Sequence, residues 1–88
     1  MTQKLYPFSI RKHGHDLAFR RNRAMNERYD MECNGTLNAR MDEQLTALID
    51  ALGDIMCTYP DNKGIIWLTG KEYGLAKESV MWAEAMRS

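Results

Sequence analysis

The chain has 88 residues, of which 44% are hydrophobic and 27% are charged, and its formal net charge is zero. This length and composition are typical of one globular domain and exclude a disordered chain. No apolar run approaches the ~18–20 residues of a membrane span, so no contact with a membrane is expected. The first residues contain neither an apolar segment nor a small-residue cleavage site, which predicts a cytoplasmic protein without a secretory signal.

The charges cancel overall but are unevenly distributed. Residues 1–28 carry seven basic side chains against two acidic ones, whereas residues 29–88 carry five basic against ten acidic. Such asymmetry can steer a partner, or a second copy of the chain, towards one side of a protein.

The N-terminal part of the chain predicts extended structure. Residues 5–11 alternate, with Tyr6, Phe8 and Ile10 on one side, which is the pattern of a half-buried strand. Pro7 has no N–H group to donate to a neighbouring strand, so we expect this strand at the edge of a sheet. The polar stretch 13–16 contains a glycine and predicts a hairpin turn.

Residues 17–33 allow two interpretations. The alternation of apolar and charged residues over 28–33 favours two strands, at about 16–22 and 27–34, with Tyr29, Met31 and Cys33 facing the central helix expected at 41–58. The alternative is a single helix capped by Asp16 and ended by the pair Asn34-Gly35. We take the two strands as the prediction.

The segment 41–58 predicts an amphipathic helix with Asn38 as a plausible N-cap. Its apolar stripe consists of Met41, Leu45, Leu48, Ile49, Leu52, Ile55 and Met56. The stretch 59–64 contains proline, aspartate, asparagine and glycine and predicts a turn. The dense apolar run 64–68 predicts a strand covered on both faces, and a last helix is expected at about 71–86.

Together these elements predict an α+β fold formed by a single compact domain over residues 1–88. A small antiparallel β-sheet, made of an N-terminal β-meander and one later strand, would pack against two α-helices, in the order β-β-β-α-β-α.

No signature of catalysis is present. The sequence lacks a GxSxG elbow, a P-loop, a GxGxxG loop and an HExxH helix. A core of this size also leaves little room for a pocket with converging acid, base and substrate groups. We therefore expect a protein that is not an enzyme and that needs no cofactor.

Four potential metal ligands are spread along the chain, namely His13, His15, Cys33 and Cys57. Zinc sites usually take their ligands in close pairs, and here only the two histidines are close in sequence. We therefore expect no metal site, and we expect both cysteines to be reduced and buried.

The candidate binding residues are the basic side chains of the N-terminal third: Arg11, Lys12, Arg20, Arg21, Arg23 and Arg28. If they formed one exposed patch, it would suit a protein partner with an acidic surface. The same patch could contact the phosphates of a nucleic acid, but the chain as a whole is neutral, with a pI near 6.7.

We therefore expect a small binding protein of the inhibitor or adaptor type, such as a phage or mobile-element protein directed at a host complex. A nucleic-acid-binding module is the alternative, and a homodimer is a further candidate assembly.

Overall fold

The computed structural model describes residues 3–87, which form two short strands and three helices. In chain order these are β1 (Tyr6–Ser9), α1 (Ile10–Cys33), α2 (Ala39–Met56), β2 (Ile65–Leu68) and α3 (Gly70–Arg87). Helix α1 is the longest element, and α2 and α3 both pack against it. The fold is therefore mostly helical, and the predicted α+β fold with a β-meander and two helices is wrong.

The structure differs from the predicted fold mainly over residues 10–33, which form one helix. The predicted turn at 13–16 and the predicted strands at 16–22 and 27–34 all lie within α1. Tyr29 is 66% exposed and Cys33 is also exposed, so α2 does not cover these side chains as expected. The alternation of polar and apolar residues over 28–33 therefore does not indicate a half-buried strand, because these residues are spread around an exposed turn of α1.

Local chemistry explains where α1 begins and ends. Ser9 is the N-cap, and its hydroxyl accepts a hydrogen bond from the backbone N–H of Lys12 at 3.2 Å. At the other end, the N–H of Asn34 donates to the carbonyl of Asp30, and Gly35 has a φ of 70°. The single-helix alternative therefore ends at the correct residues, but its predicted N-cap, Asp16, lies well after the observed N-cap, Ser9.

Helix α2 confirms the predicted amphipathic helix and its cap. The Asn38 side chain accepts a hydrogen bond from the N–H of Met41 at 2.9 Å. Leu52 and Ile55 are fully buried, whereas the apolar residues of the N-terminal half are only partly covered. The C-terminal half of α2 therefore provides its main contribution to the core.

The two strands are antiparallel, with Tyr6 opposite Leu68 and Phe8 opposite Ile66. Phe8, Ile66 and Leu68 face the core, because successive side chains of a strand point to opposite faces. Trp67 is 51% exposed on the outer face, so the expectation that β2 is covered on both faces is wrong. The prediction that Pro7 lies on an edge strand is confirmed, since both strands of a two-stranded sheet are edges.

The loop before β2 confirms the predicted turn. One Asp61 carboxylate oxygen accepts the N–H of Lys63 at 2.8 Å and that of Ile65 at 3.0 Å. The hydrogen bond from Ile65 is the largest cause that holds the pKa of Asp61 below its ordinary value, and the one from Lys63 is the next. Gly64 ends the loop with a φ of 77°.

A single cluster of buried side chains joins the sheet to all three helices. Its members are Phe8, Leu17, Leu52, Ile55, Ile66, Leu68, Ala76 and Val80. The two cysteines lie outside it, because Cys33 is the last residue of α1 and Cys57 follows α2. Both thiols are exposed, and the prediction that they are buried is wrong.

Candidate functional site

The predicted basic residues do not all have the same surroundings. Arg20 is turned towards α3: its guanidinium donates a hydrogen bond to the Ser79 hydroxyl at 3.1 Å and lies 5.7 Å from the centre of the Trp82 ring. A Glu78 carboxylate oxygen lies 3.8 Å away. Only 16% of the Arg20 side chain is exposed, so this residue mainly joins two helices.

Arg21 and Arg28 are turned towards α2. The Arg21 Nε donates to the backbone carbonyl of Ile49 at 3.3 Å, and its guanidinium lies beside Gly53. The Arg28 Nε donates to an Asp42 carboxylate oxygen at 2.7 Å. This hydrogen bond is the main cause that lowers the pKa of Asp42 and raises the pKa of Arg28.

The other three basic residues are exposed at different places. Arg11 lies against the loop at Gly64, where a β-carbon on the glycine would come within 3.0 Å of the Arg11 Cβ. Arg23 lines a groove of about 490 Å³ between the three helices, together with two carboxylates of α1, Glu27 and Asp30. Lys12 lies on another side, where β1 meets α3.

Lys12 lines a groove between β1 and α3. This β1–α3 groove has a volume of about 450 Å³. Its lining consists of Pro7, Phe8, Ser9, Lys12, His13, Tyr73, Lys77, Val80 and Met81. Two of these side chains are lysines and one is a histidine, and none is a carboxylate.

The fold explains how these residues come together. Because β1 passes directly into α1 at Ser9, Lys12 and His13 follow the strand within the first turn of the helix. On α3, Tyr73, Lys77 and Met81 are each four residues apart and therefore lie on one side of the helix. The groove is thus formed between a strand–helix junction and one face of α3.

Two tyrosine rings stack beside the groove, and each has a lysine near it. The ring of Tyr73, which lines the groove, stacks on that of Tyr6 at a centroid distance of 5.2 Å. The Lys77 Nζ lies 5.9 Å from the centre of the Tyr73 ring, and the Lys4 Nζ lies 5.4 Å from that of Tyr6. Cations over aromatic faces are attracted by the ring quadrupole, so the contact with Tyr73 helps to position Lys77 in the groove.

A buried carboxylate contacts one residue of the groove. Asp16 accepts a hydrogen bond from Arg87, and one of its oxygens lies 3.5 Å from the His13 Nδ1. The His13 ring is also 5.6 Å from that of Phe8. Among residues 3–87, Lys12 and Lys77 form no ion pair within 4.0 Å, so the basic character of the groove depends on these two lysines.

Of the residues proposed from sequence, only Lys12 lines this groove. Sequence reasoning missed His13, which was assigned to a turn, and it missed Tyr73 and Lys77. The available signal was the spacing of Tyr73, Lys77 and Met81, which places an aromatic, a basic and an apolar side chain on one face of the last helix.

Neither a metal site nor a membrane-spanning helix is found among the described residues. Within residues 3–87, no group of three or more His, Cys, Asp or Glu side chains is arranged to hold a metal ion. None of the three helices in this part of the chain is long and apolar enough to cross a membrane.

The chain was compared with models of protein families, with curated proteins and with solved structures, and none of these comparisons found a match.

Proposed function

We propose that this protein is a small non-enzymatic binding protein, of the inhibitor or adaptor type, that docks on an acidic segment of a partner protein through the β1–α3 groove. The observation that carries the proposal is the lining of the groove. Lys12, His13 and Lys77 surround aromatic and apolar side chains, and no carboxylate lines it.

This combination suits a peptide segment with both acidic and apolar side chains. Lys12 and Lys77 are exposed and can pair with carboxylates, while Tyr73 and Met81 offer apolar contact area. Complementary charge favours rapid and selective association, and aromatic residues are enriched at protein interfaces.

A protein partner is favoured over a nucleic acid by the charge of the whole molecule. Nucleic-acid binding depends on neutralising several phosphates, and such domains are usually strongly basic. This chain has a net charge of zero, so any attraction is confined to the local surface.

The test is a titration of the ¹⁵N-labelled protein with three short probes, followed by NMR. The probes are a capped peptide of alternating glutamate and phenylalanine, the same peptide with lysine in place of glutamate, and single-stranded oligothymidine. We expect saturable shift changes at Lys12, His13, Tyr73 and Lys77 with the acidic peptide only.

The variant Lys12→Glu/Lys77→Glu should bind the acidic peptide at least about tenfold more weakly, because two attractive contacts become repulsive. The matched control is Arg40→Glu/Lys63→Glu, which changes the net charge equally at exposed positions outside the groove. Equal weakening in both variants, or shift changes elsewhere, would contradict the proposal. Tighter binding of the oligonucleotide would replace it with the nucleic-acid alternative.

A further inference from the structure

The C-terminal half of α1 carries a row of exposed side chains, two of which, Asn26 and Tyr29, also line a groove beside α2. Arg21, Ala24 and Arg28 are directed at α2 or buried, so the opposite side of the helix faces solvent. That side carries Asn22, Asn26, Tyr29 and Cys33, which are all exposed. Their spacing of four, three and four residues is that of the contact positions in a pair of packed helices. We call these four residues the α1 seam.

Two opposite charges lie along one edge of the α1 seam. Arg23 and Asp30 are seven residues apart, so two turns of helix separate them on the same edge. Both are exposed, and among residues 3–87 neither forms an ion pair within 4.0 Å. This distinguishes Arg23 from Arg20 and Arg28, which are paired within the chain.

The order of these charges is self-complementary. When two identical helices pack antiparallel about a two-fold axis, the same edge of each helix meets its counterpart in the opposite direction. If Asn26 packs beside Tyr29 of a second copy, Asn22 comes beside Cys33 of that copy. In this register Arg23 of each chain lies opposite Asp30 of the other, which gives two ion pairs.

The molecule is less compact than a typical monomer of its size. Its accessible surface is 6413 Å², whereas a compact monomer of 10.2 kDa is expected to expose about 5,300 Å². The radius of gyration is 14.3 Å, compared with about 12 Å for a compact domain of this length. The flat shape of 44 × 36 × 19 Å accounts for this excess and leaves one side of α1 at the surface.

From these observations we infer that a second copy of this chain docks on the α1 seam, with the two α1 helices antiparallel and Arg23 of each chain paired with Asp30 of the other. The polar seam makes this a reversible dimer, in which the asparagines set the register and the Arg23–Asp30 pairs set the orientation. The dimer uses a different face from the β1–α3 groove, so it does not depend on the proposed function.

The first test is sedimentation equilibrium of the full chain up to about 1 mM, a range that detects millimolar dissociation constants. We expect Arg23→Asp and Asp30→Arg each to weaken dimerisation at least about tenfold, because like charges then face each other twice. The double swap Arg23→Asp/Asp30→Arg should restore the dissociation constant to within about threefold, because it rebuilds both pairs in reverse.

Arg40→Asp is the control for net charge, since Arg40 is exposed at the start of α2. It should leave dimerisation unchanged. A chain that remains monomeric at the highest concentration would overturn the inference. So would a dimer that the single substitutions do not weaken, or one that the double swap does not restore.

The second test uses the native thiol of Cys33. In a Cys57→Ser background, Asn22→Cys should give a covalent dimer under mild oxidation, because the new thiol lies beside Cys33 of the second copy. Within one chain the two positions are about 16 Å apart along α1, which is too far for a disulfide. Adding Cys33→Ser should abolish the covalent dimer, and its persistence would contradict the proposed register.

Discussion

Arg20 joins α1 to α3 through contacts with three different side chains. Its guanidinium donates to the Ser79 hydroxyl, lies over the Trp82 ring and is close to Glu78. The planar guanidinium can make these contacts at once, because it combines several N–H donors with a face that packs on aromatic rings. Arg23, three residues later, makes no ion pair within the described part of the chain. Two arginines that look equivalent in the sequence therefore have different roles.

We predict that Arg20→Glu lowers the free energy of unfolding by about 1–3 kcal/mol, because it removes the bond to Ser79 and places a carboxylate near Glu78. Arg23→Glu, at an exposed position, should change it by no more than about 0.5 kcal/mol. Urea unfolding followed by circular dichroism measures both values. Equal effects of the two substitutions would show that the Arg20 contacts do not stabilise the fold.

At the scale of the elements, two glycines have opposite structural roles. Gly14 lies inside α1, and a β-carbon there would be 3.6 Å from the Ile10 Cγ1, which is an ordinary contact. Gly64 ends the loop before β2 with a φ of 77°, and a β-carbon there would be 3.0 Å from the Arg11 Cβ. The junction of β1 with α1 therefore depends on a glycine at 64 but not at 14.

Gly14→Ala should stabilise the protein by about 0.5–1 kcal/mol, because alanine loses less backbone entropy in a helix. Gly64→Ala should destabilise it by at least about 1–2 kcal/mol, since the left-handed conformation strains an L-residue and the β-carbon crowds Arg11. Thermal unfolding of the two variants measures the difference. A stabilising Gly64→Ala would mean that the loop can adopt another conformation without loss.

At the scale of the whole molecule, the fold depends on one core. Leu17 of α1 is fully buried within the cluster that also contains residues of β1, β2, α2 and α3. The molecule measures 44 × 36 × 19 Å, so it is flat, and this cluster is its shared centre. The elements should therefore unfold together.

We predict that Leu17→Ala costs about 2–5 kcal/mol through lost burial and the cavity left behind. This is a large share of the ~5–15 kcal/mol that stabilises a typical domain. Tryptophan fluorescence from Trp67 on β2 and Trp82 on α3 should change together with the helical circular dichroism signal. Separate transitions would show that the core is not shared by all elements.

The elements with local signals could be predicted from the sequence alone. Helices α2 and α3, the Asn38 cap, the loop around Asp61 and the break at Asn34-Gly35 follow from periodicity, capping and turn chemistry within a few residues. The remaining elements depend on tertiary contacts. Helix α1 buries only Asp16, Leu17 and Ala24, so its sequence lacks a helical apolar stripe. Its helical state is instead stabilised by packing against α2 and α3 and by the contacts of its arginines with them.

The candidate site could not be predicted from the sequence either, because it also depends on tertiary contacts. Lys12 and Lys77 are far apart in the chain and come together only because β1 enters α1 directly and α3 folds back beside that junction. The distribution of charge along the sequence predicts a basic surface formed by residues 1–28, which contain most of the arginines. In the folded chain Arg20, Arg21 and Arg28 contact other helices, because their long side chains find hydrogen-bond acceptors there. The basic groove therefore forms where the two lysines meet.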